Sequence, residues 1–307
     1  MAPKQELPDL FPGFETRTFD TSGGSIFCRI GGDGPPLLLV HGYPQCNVMW
    51  HRIAPALASR HRLVIPDLPG YGRSAIPALS DDHAAYSKRA MARTLVELMD
   101  ALGHRNFSVV GHDRGARVAY RMALDHPGKV NRLAVLDILP TLDYWLKLDR
   151  PFALKIYHWA FLAQPAPFPE TMIAANAAAF LDHTLASWTG AKSLDCFTPE
   201  ALQHYHASFE QAERIAATCE DYRAGATIDV EHDQADREAG RKIKAPVLAV
   251  WGQSGIAPGA ETPLDVWSKW ASDVRGSAIP GGHFVAEENP EALLAELLPF
   301  LDSDHAA

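Results

Sequence analysis

Short apolar runs alternate along this chain with stretches of helical period. Pro36–Val40 reads Pro-Leu-Leu-Leu-Val and closes on His41-Gly42-Tyr43-Pro44. Arg62–Pro66 reads Arg-Leu-Val-Ile-Pro and ends in the turn-rich Asp67-Leu68-Pro69-Gly70-Tyr71-Gly72. Strands that are apolar without polar alternation suit a parallel sheet covered on both faces. Over residues 86–102 the period changes: Met91, Leu95, Leu98, Met99 and Leu102 fall at three- and four-residue spacing, and Gly103 stops the helix. The pattern then predicts a strand over 107–110, a helix over about 115–125, a break at Pro127-Gly128 and a strand over 132–136. The same alternation resumes at residues 245–252 and near 276–280, and Ala292, Leu293, Leu294, Leu297 and Leu298 mark a final helix. Pro36–Val40 is the first clear strand, and the whole reads as an α/β fold, a mostly parallel sheet flanked by helices.

Over residues 141–237 the strand pattern disappears. That stretch is rich in Ala, aromatics and His and is broken by Pro165, Pro167 and Pro169. It predicts a helical cap inserted after the strand ending near Asp137, over the strands' carboxyl ends, with residues 1–140 and 238–307 forming the core domain. There is no internal repeat and no low-complexity segment.

Candidate chemistry begins at Gly111-His112-Asp113-Arg114-Gly115, between a predicted strand and a predicted helix. This is the G-x-nucleophile-x-G elbow of the α/β-hydrolase fold, with Asp where Ser is usual. A serine that attacked saturated carbon would leave a stable ether, whereas a carboxylate leaves an ester that water can cleave. Asp113 therefore points to displacement at an sp³ carbon followed by ester hydrolysis. Its structural alternative is an ordinary helix N-cap.

The second step needs a base. His283, in Gly281-Gly282-His283-Phe284 after the last predicted strand, has the right position among 14 histidines. A histidine base needs a carboxylate to fix its tautomer. The usual place, after a strand ending Trp-Gly, reads Trp251-Gly252-Gln253-Ser254-Gly255-Ile256 and holds no acid. Asp137, after the preceding strand, is the candidate; its alternative is a helix cap or hinge. An oxyanion hole would come from the backbone N–H groups of Tyr43 and Arg114. Arg114 and Arg117, three apart at the start of the elbow helix, would clamp a small carboxylate substrate. The alternative for each is pairing with Asp137 or a surface acid.

His-Asp-Arg-Gly-x-Arg at 112–117, Leu-Asp-Ile-Leu-Pro at 136–140, Lys-Ile-Tyr-His-Trp at 155–159 and Cys-Glu-Asp-Tyr-Arg-Ala-Gly at 219–225 together resemble the fluoroacetate dehalogenases. The similarity runs over roughly residues 10–300. It implies Asp113 as nucleophile, His283 as base, Asp137 as its partner, and Arg114 and Arg117 on the substrate carboxylate. It also implies His158, Trp159 and Tyr222 around the departing halide, Trp188 lining the pocket, and a homodimer. Without the resemblance, His158-Trp159 would read as packing. No metal or organic cofactor is called for, the substrate being a small haloacid with water.

Charge adds exclusions. The net charge of −9 argues against nucleic acid as a partner. Cys28, Cys46, Cys196 and Cys219 form no ligand spacing and suit thiols in a reducing compartment. Residues 1–14 carry charges and three prolines instead of a signal peptide's apolar segment. No apolar run approaches the ~20 residues that span a bilayer, so a cytoplasmic protein is expected. Glu231-His232-Asp233 reads as a solvated face rather than a metal cluster. The rival enzyme is an epoxide hydrolase with cap tyrosines among Tyr144, Tyr157, Tyr205 and Tyr222, although a neutral epoxide gives the arginines no role. A non-catalytic ligand-binding protein on a hydrolase scaffold is the rival of another class; it would be expected to have lost part of the triad.

Overall fold

Eight strands form one sheet among the described residues, which in this computed structural model are 7–256 and 261–303. Residues 1–6 of the N-terminal stretch read above lie outside them. The strands are β1 (Glu15–Thr21), β2 (Gly24–Gly31), β3 (Pro36–Val40), β4 (Arg62–Pro66), β5 (Phe107–His112), β6 (Val130–Leu136), β7 (Val247–Gly252) and β8 (Val274–Ile279), in the spatial order β1-β2-β4-β3-β5-β6-β7-β8. From β4 through β8 every neighbouring pair is parallel, while β1–β2 and β2–β4 are antiparallel. The hairpin of β1 and β2 precedes the strand expected to be first. Its outer member, Glu-Thr-Arg-Thr-Phe-Asp-Thr, is an edge strand with a largely exposed surface, so it carries no apolar run for a sequence reading to find.

The helices of the core are α1 (Ala54–Ala58), α2 (Lys88–Ala101) and α3 (Arg114–Asp125). Between β6 and β7 the chain passes through α4 (Thr141–Leu146), α5 (Arg150–Lys155), α6 (Tyr157–Leu162), α7 (Phe168–Ala174), α8 (Ala177–Trp188), α9 (Pro199–Phe209), α10 (Ala212–Ala226) and α11 (Ile228–Glu238), with no strand. After β7 come α12 (Pro263–Trp267), α13 (Val285–Glu288) and α14 (Pro290–Leu301). Leu37 to Val40, Leu63 to Ile65, Val109 and Val110 are fully buried, as strands covered on both faces must be. Because β3, β5, β6, β7 and β8 run parallel, their carboxyl ends and the loops beyond them open on one edge, where α/β sheets bind ligands.

The helical insertion is fastened to the core by buried ions. Arg121 of α3 pairs with Asp233 of α11 at 2.7 Å and with Asp236. Asp233 also accepts hydrogen bonds from Tyr120 Oη and the Leu142 N–H. This corrects the reading of Glu231-His232-Asp233 as a solvated face: Asp233 is buried, and helical period turns it inward while Glu231 stays outside. Among the described residues no group of three or more His, Cys, Asp or Glu side chains is arranged to hold a metal ion. No helix among them is long and apolar enough to cross a membrane.

Candidate active site

Asp113 occupies the turn from β5 into α3 with φ +47° and ψ −120°, a conformation that costs a residue with a Cβ. The turn is this tight because α3 starts against the end of β3: a Cβ on Gly115 would lie 2.2 Å from His41 O and 2.3 Å from Val40 O. The Asp113 side chain makes no capping hydrogen bond to α3, so the N-cap alternative fails on geometry. Its Oδ2 instead accepts from the Tyr43 N–H at 2.9 Å. The Arg114 N–H, at the first position of α3, has no carbonyl within the helix to bond.

His283 follows β8. Its Nδ1 donates to Asp137 Oδ2 at 2.6 Å, and its Nε2, buried and without a partner, lies 3.9 Å from Asp113 Oδ1. Asp137, itself at φ +53°, accepts the Gly252 and Ile256 N–H groups on Oδ1 at 3.0 and 3.4 Å. The Trp251-Gly252 turn that lacks an acid therefore holds the acid of the neighbouring strand. A Cβ on Gly255 would sit 2.2 Å from Asp137 Oδ1, so that turn is built around the carboxylate. The carbonyl of His283 accepts from His112 Nε2 at 2.8 Å, and its N–H donates to Trp188 O at 2.9 Å. The histidine loop is thus held from both the elbow and the helical insertion.

These three side chains open on a cavity of about 330 Å³, lined also by Tyr144, His158, Trp159 and Trp188. Aromatic rings close around it: His158 and Trp188 stand 4.3 Å apart between ring centres, and Trp188 and His283 5.4 Å. Tyr222 does not line the cavity. Its ring lies behind the wall, 5.8 Å from that of His158 and 6.1 Å from that of Trp159.

The two arginines are also brought to Asp113 but are not exposed to the cavity. Arg114 is fully buried with its fork on Asp221, Nε at 3.0 Å and Nη2 at 2.8 Å, while Nη1 has no partner among the described residues. Its alternative partner is thus a buried acid of α10, not Asp137 or a surface group. Arg117 donates from Nη1 to Leu139 O and Thr141 Oγ1, and its Nε has no partner. The Arg117 guanidinium carbon stands 4.4 Å from the Trp159 ring centre and 4.6 Å from that of Tyr144. The Arg114 carbon is 4.1 Å from the Tyr222 ring centre. Unpartnered N–H donors on two buried cations are costly unless something accepts them.

Electrostatics divides the titratable groups. Burial pushes the Asp113 carboxyl up, but His283, His112, Arg117 and Arg114 outweigh it and hold it below the usual carboxylate range. Burial pulls His283 down, and the hydrogen bond and charge of Asp137, with the charge of Asp113, more than reverse that, leaving it raised. His158 is pulled to about 3 and His112 to about 4, in both cases chiefly by burial, so both are neutral near pH 7. An ionised carboxylate, a basic imidazole tied to a second carboxylate and neutral N–H donors in one cavity suit displacement followed by hydrolysis.

Sequence reasoning missed the groups that hold the arginines. Asp221 takes Arg114 together with Lys88 of α2 and the Tyr71 hydroxyl, the latter at 2.6 Å. Nothing in the local sequence pairs residue 221 with 88 or 114; only the Asp-Tyr step within 219–225 lay in a stretch already noted. Glu287, buried beside Gln45 and Tyr205, was equally invisible.

The model of the alpha/beta hydrolase fold matches residues 35–290. A fluoroacetate dehalogenase of Burkholderia sp is 44% identical over 95% of this chain and 95% of its own. A soluble epoxide hydrolase of Corynebacterium sp. (strain C12) is 32% identical over 88% of this chain and 91% of its own. The crystal structure of ALR0039 from Nostoc sp PCC 7120 superposes with a TM-score of 0.92 at 48% identity, covering 95% of this chain and 99% of that one.

Proposed function

This chain belongs to the alpha/beta hydrolase fold family, and from that premise we propose that it is a hydrolytic dehalogenase converting fluoroacetate and other small 2-haloacids to 2-hydroxy acids and halide. The observation that carries the reading is the elbow carboxylate, Asp113, facing an imidazole that is itself tied to a second carboxylate. The similarity to a fluoroacetate dehalogenase supports it.

Asp113 attacks the halogen-bearing carbon; the new carbon–oxygen bond forms as the carbon–halogen bond breaks and halide leaves with its electron pair. Inversion is expected at a chiral carbon. His283, oriented by Asp137, takes a proton from water, whose oxygen adds to the carboxyl carbon of the Asp113 ester. The oxygen on that carbon gains charge, and it already lies 2.9 Å from the Tyr43 nitrogen. Arg114 N–H is the proposed second donor. Collapse breaks the bond between the Asp113 carboxyl carbon and the ester oxygen, and His283 returns its proton to that leaving oxygen. The hydroxy acid departs as Asp113, losing the proton brought by water, is restored as the carboxylate. Arg114 Nη1 and Arg117 Nε are the free donors proposed for the substrate carboxylate, reached by movement of the Trp159 and Tyr144 rings. His158 and Trp159, which line the cavity, are proposed to donate to the departing halide, Tyr222 to do so only when the wall it lies behind moves, and Trp188 to close the pocket. Residues 141–237 act as the cap over a core of 1–140 and 238–307. The homodimer implied by the resemblance would cover exposed Leu154, Phe168 and Met172 of the insertion; the proposed setting is the cytoplasm.

The epoxide hydrolase reading is favoured by one relative but leaves Arg114 Nη1 and Arg117 Nε without an acceptor. Incubation with fluoroacetate under a fluoride electrode decides, with Asp113→Asn as control. Steady fluoride release by the native protein alone is expected; no fluoride together with turnover of a neutral epoxide would replace the reading.

A further inference from the structure

Behind the cavity lies a buried acid that the proposed chemistry does not use. Glu287 of α13 is fully buried, four residues beyond His283. One carboxyl oxygen accepts from Tyr205 Oη of α9 at 2.9 Å, and the other from Gln45 Nε2. Gln45 is two residues beyond Tyr43, and its Nε2 also reaches Tyr205 Oη at 3.2 Å. One carboxyl thus joins the loop bearing the Tyr43 N–H, the turn bearing His283 and the helical insertion.

Both hydrogen bonds are donated to Glu287 and so favour its ionised form, but its buried surroundings offer that form no countercharge: no cation pairs with its carboxyl among the described residues. Arg52, a positive group whose charge acts on this carboxyl, spends a guanidinium N–H on the Glu287 backbone carbonyl. The neighbouring Glu288 is the contrast: it accepts three backbone N–H groups, those of Gly190, Gly282 and Phe284, at 2.7, 2.8 and 3.0 Å. The other titratable groups facing Glu287 are the Tyr205 phenol, the buried Cys46 thiol and the half-buried Cys196 thiol, none of them positive. Gln45 Oε1 is buried without a partner, so the cluster is one proton donor short.

We propose that Glu287 is a positioning residue that works as a protonated acid, tying the Tyr43 loop to the His283 turn and to α9, and that loss of its proton loosens that alignment. Burial pushes its carboxyl up to about 8, against the opposing pull of the Tyr205 and Gln45 hydrogen bonds. Between the ordinary carboxylate range and that value the folded protein keeps a proton that the unfolded chain has released. Stability therefore falls as pH rises through this window and levels off above it.

The proposal rests on the site reading only for its kinetic consequence, so its test does not use turnover. Infrared difference spectra of native protein against Glu287→Gln are expected to contain a protonated carboxylic acid band that titrates away near pH 8. The melting temperature of the native protein should decline across the same window more than that of Glu287→Gln, which keeps the shape and cannot ionise. Amide exchange of Tyr43 and of residues 281–284 should match in the two proteins at pH 6 and run roughly tenfold faster in the native one at pH 9. Tyr205→Phe removes a donor that favours the ionised form, so the titration should move to higher pH. Absence of the acid band, or identical melting slopes in native and Glu287→Gln, overturns the protonated state. Equal exchange at pH 9 overturns the positioning role. A protein that releases no fluoride while passing these measurements loses the dehalogenase reading alone.

Discussion

His283 reaches Asp137 at 2.6 Å through Nδ1, while its Nε2 stops 3.9 Å short of Asp113 Oδ1. A hydrogen bond holds the first contact, and the second is too long for one. His283 is oriented by one acid and aimed at the other without being bound to it, the arrangement that the proposed activation of water beside an Asp113 ester requires. His283→Gln should therefore leave the first step and stop the second. Rapid mixing with a haloacetate is expected to give about one halide per site and then nothing, and mass spectrometry should find the carboxymethyl adduct on Asp113. Steady turnover in that variant would remove His283 from the mechanism.

The arginines should separate by what each leaves behind. Arg117 bonds a backbone carbonyl and a hydroxyl and has no acid partner among the described residues. Arg117→Met should raise KM for haloacetate about 10-fold to 100-fold, the worth of a charge-assisted hydrogen bond, with the fold close to native in urea melts. Arg114→Met should raise KM and also destabilise the fold by about 3–5 kcal/mol, because Asp221 is left buried with less than its full set of cations. Equal urea midpoints for the two variants would contradict this division.

The sheet was legible because its strands are continuous apolar runs and its helices keep a 3.6 period; β3 and β4 fall where the runs were read. That Asp113, His283 and Asp137 come together was legible because each sits at a strand end, where sequence position maps onto space. The hairpin before β3 was missed because an exposed edge strand has no apolar signature. Asp221, Lys88, Gln45 and Glu287 were missed for another reason: each acts through a partner more than a hundred residues away or on another layer, and pairing at that range leaves no local pattern. The arginines are the intermediate case. Their position beside the nucleophile was readable from the elbow, but not that Asp221 occupies the Arg114 fork or that aromatic rings screen both from the cavity.

Turnover should rise with pH on its acid side. The proposed ester step needs neutral His283, whose proton affinity is raised above the ordinary histidine value of about 6.5. The pairing stabilises the fold fully below the unfolded-state value, and that contribution fades as pH rises through the raised one. The kcat profile of the native protein should therefore have an acid limb centred above pH ~6.5. Asp137→Asn removes the leading upward influence and leaves burial, which pulls the imidazole down. Its limb should shift to lower pH while the plateau drops roughly 10²-fold or more. A limb that stays in place would mean that it reports some group other than His283.

The proposed halide donors should matter most for fluorine. His158 is held to about 3 by burial, so at working pH it offers a neutral N–H, and its Nδ1 is buried without a partner. Trp159 lines the same cavity and offers an indole N–H. Fluoride concentrates its charge in a smaller ion than chloride and is the stronger hydrogen-bond acceptor, so a neutral donor gains more from it as the bond breaks. Trp159→Phe keeps an aromatic ring beside Arg117 and deletes the N–H. It should lower release from fluoroacetate by about 10–100-fold, the scale of one lost transition-state donor, and release from chloroacetate by much less. His158→Phe should behave in the same direction, since no positive charge is lost with it. If both substrates fall equally, the two residues act by shaping the cavity, and discrimination among halides has to come from the alignment of Asp113 itself.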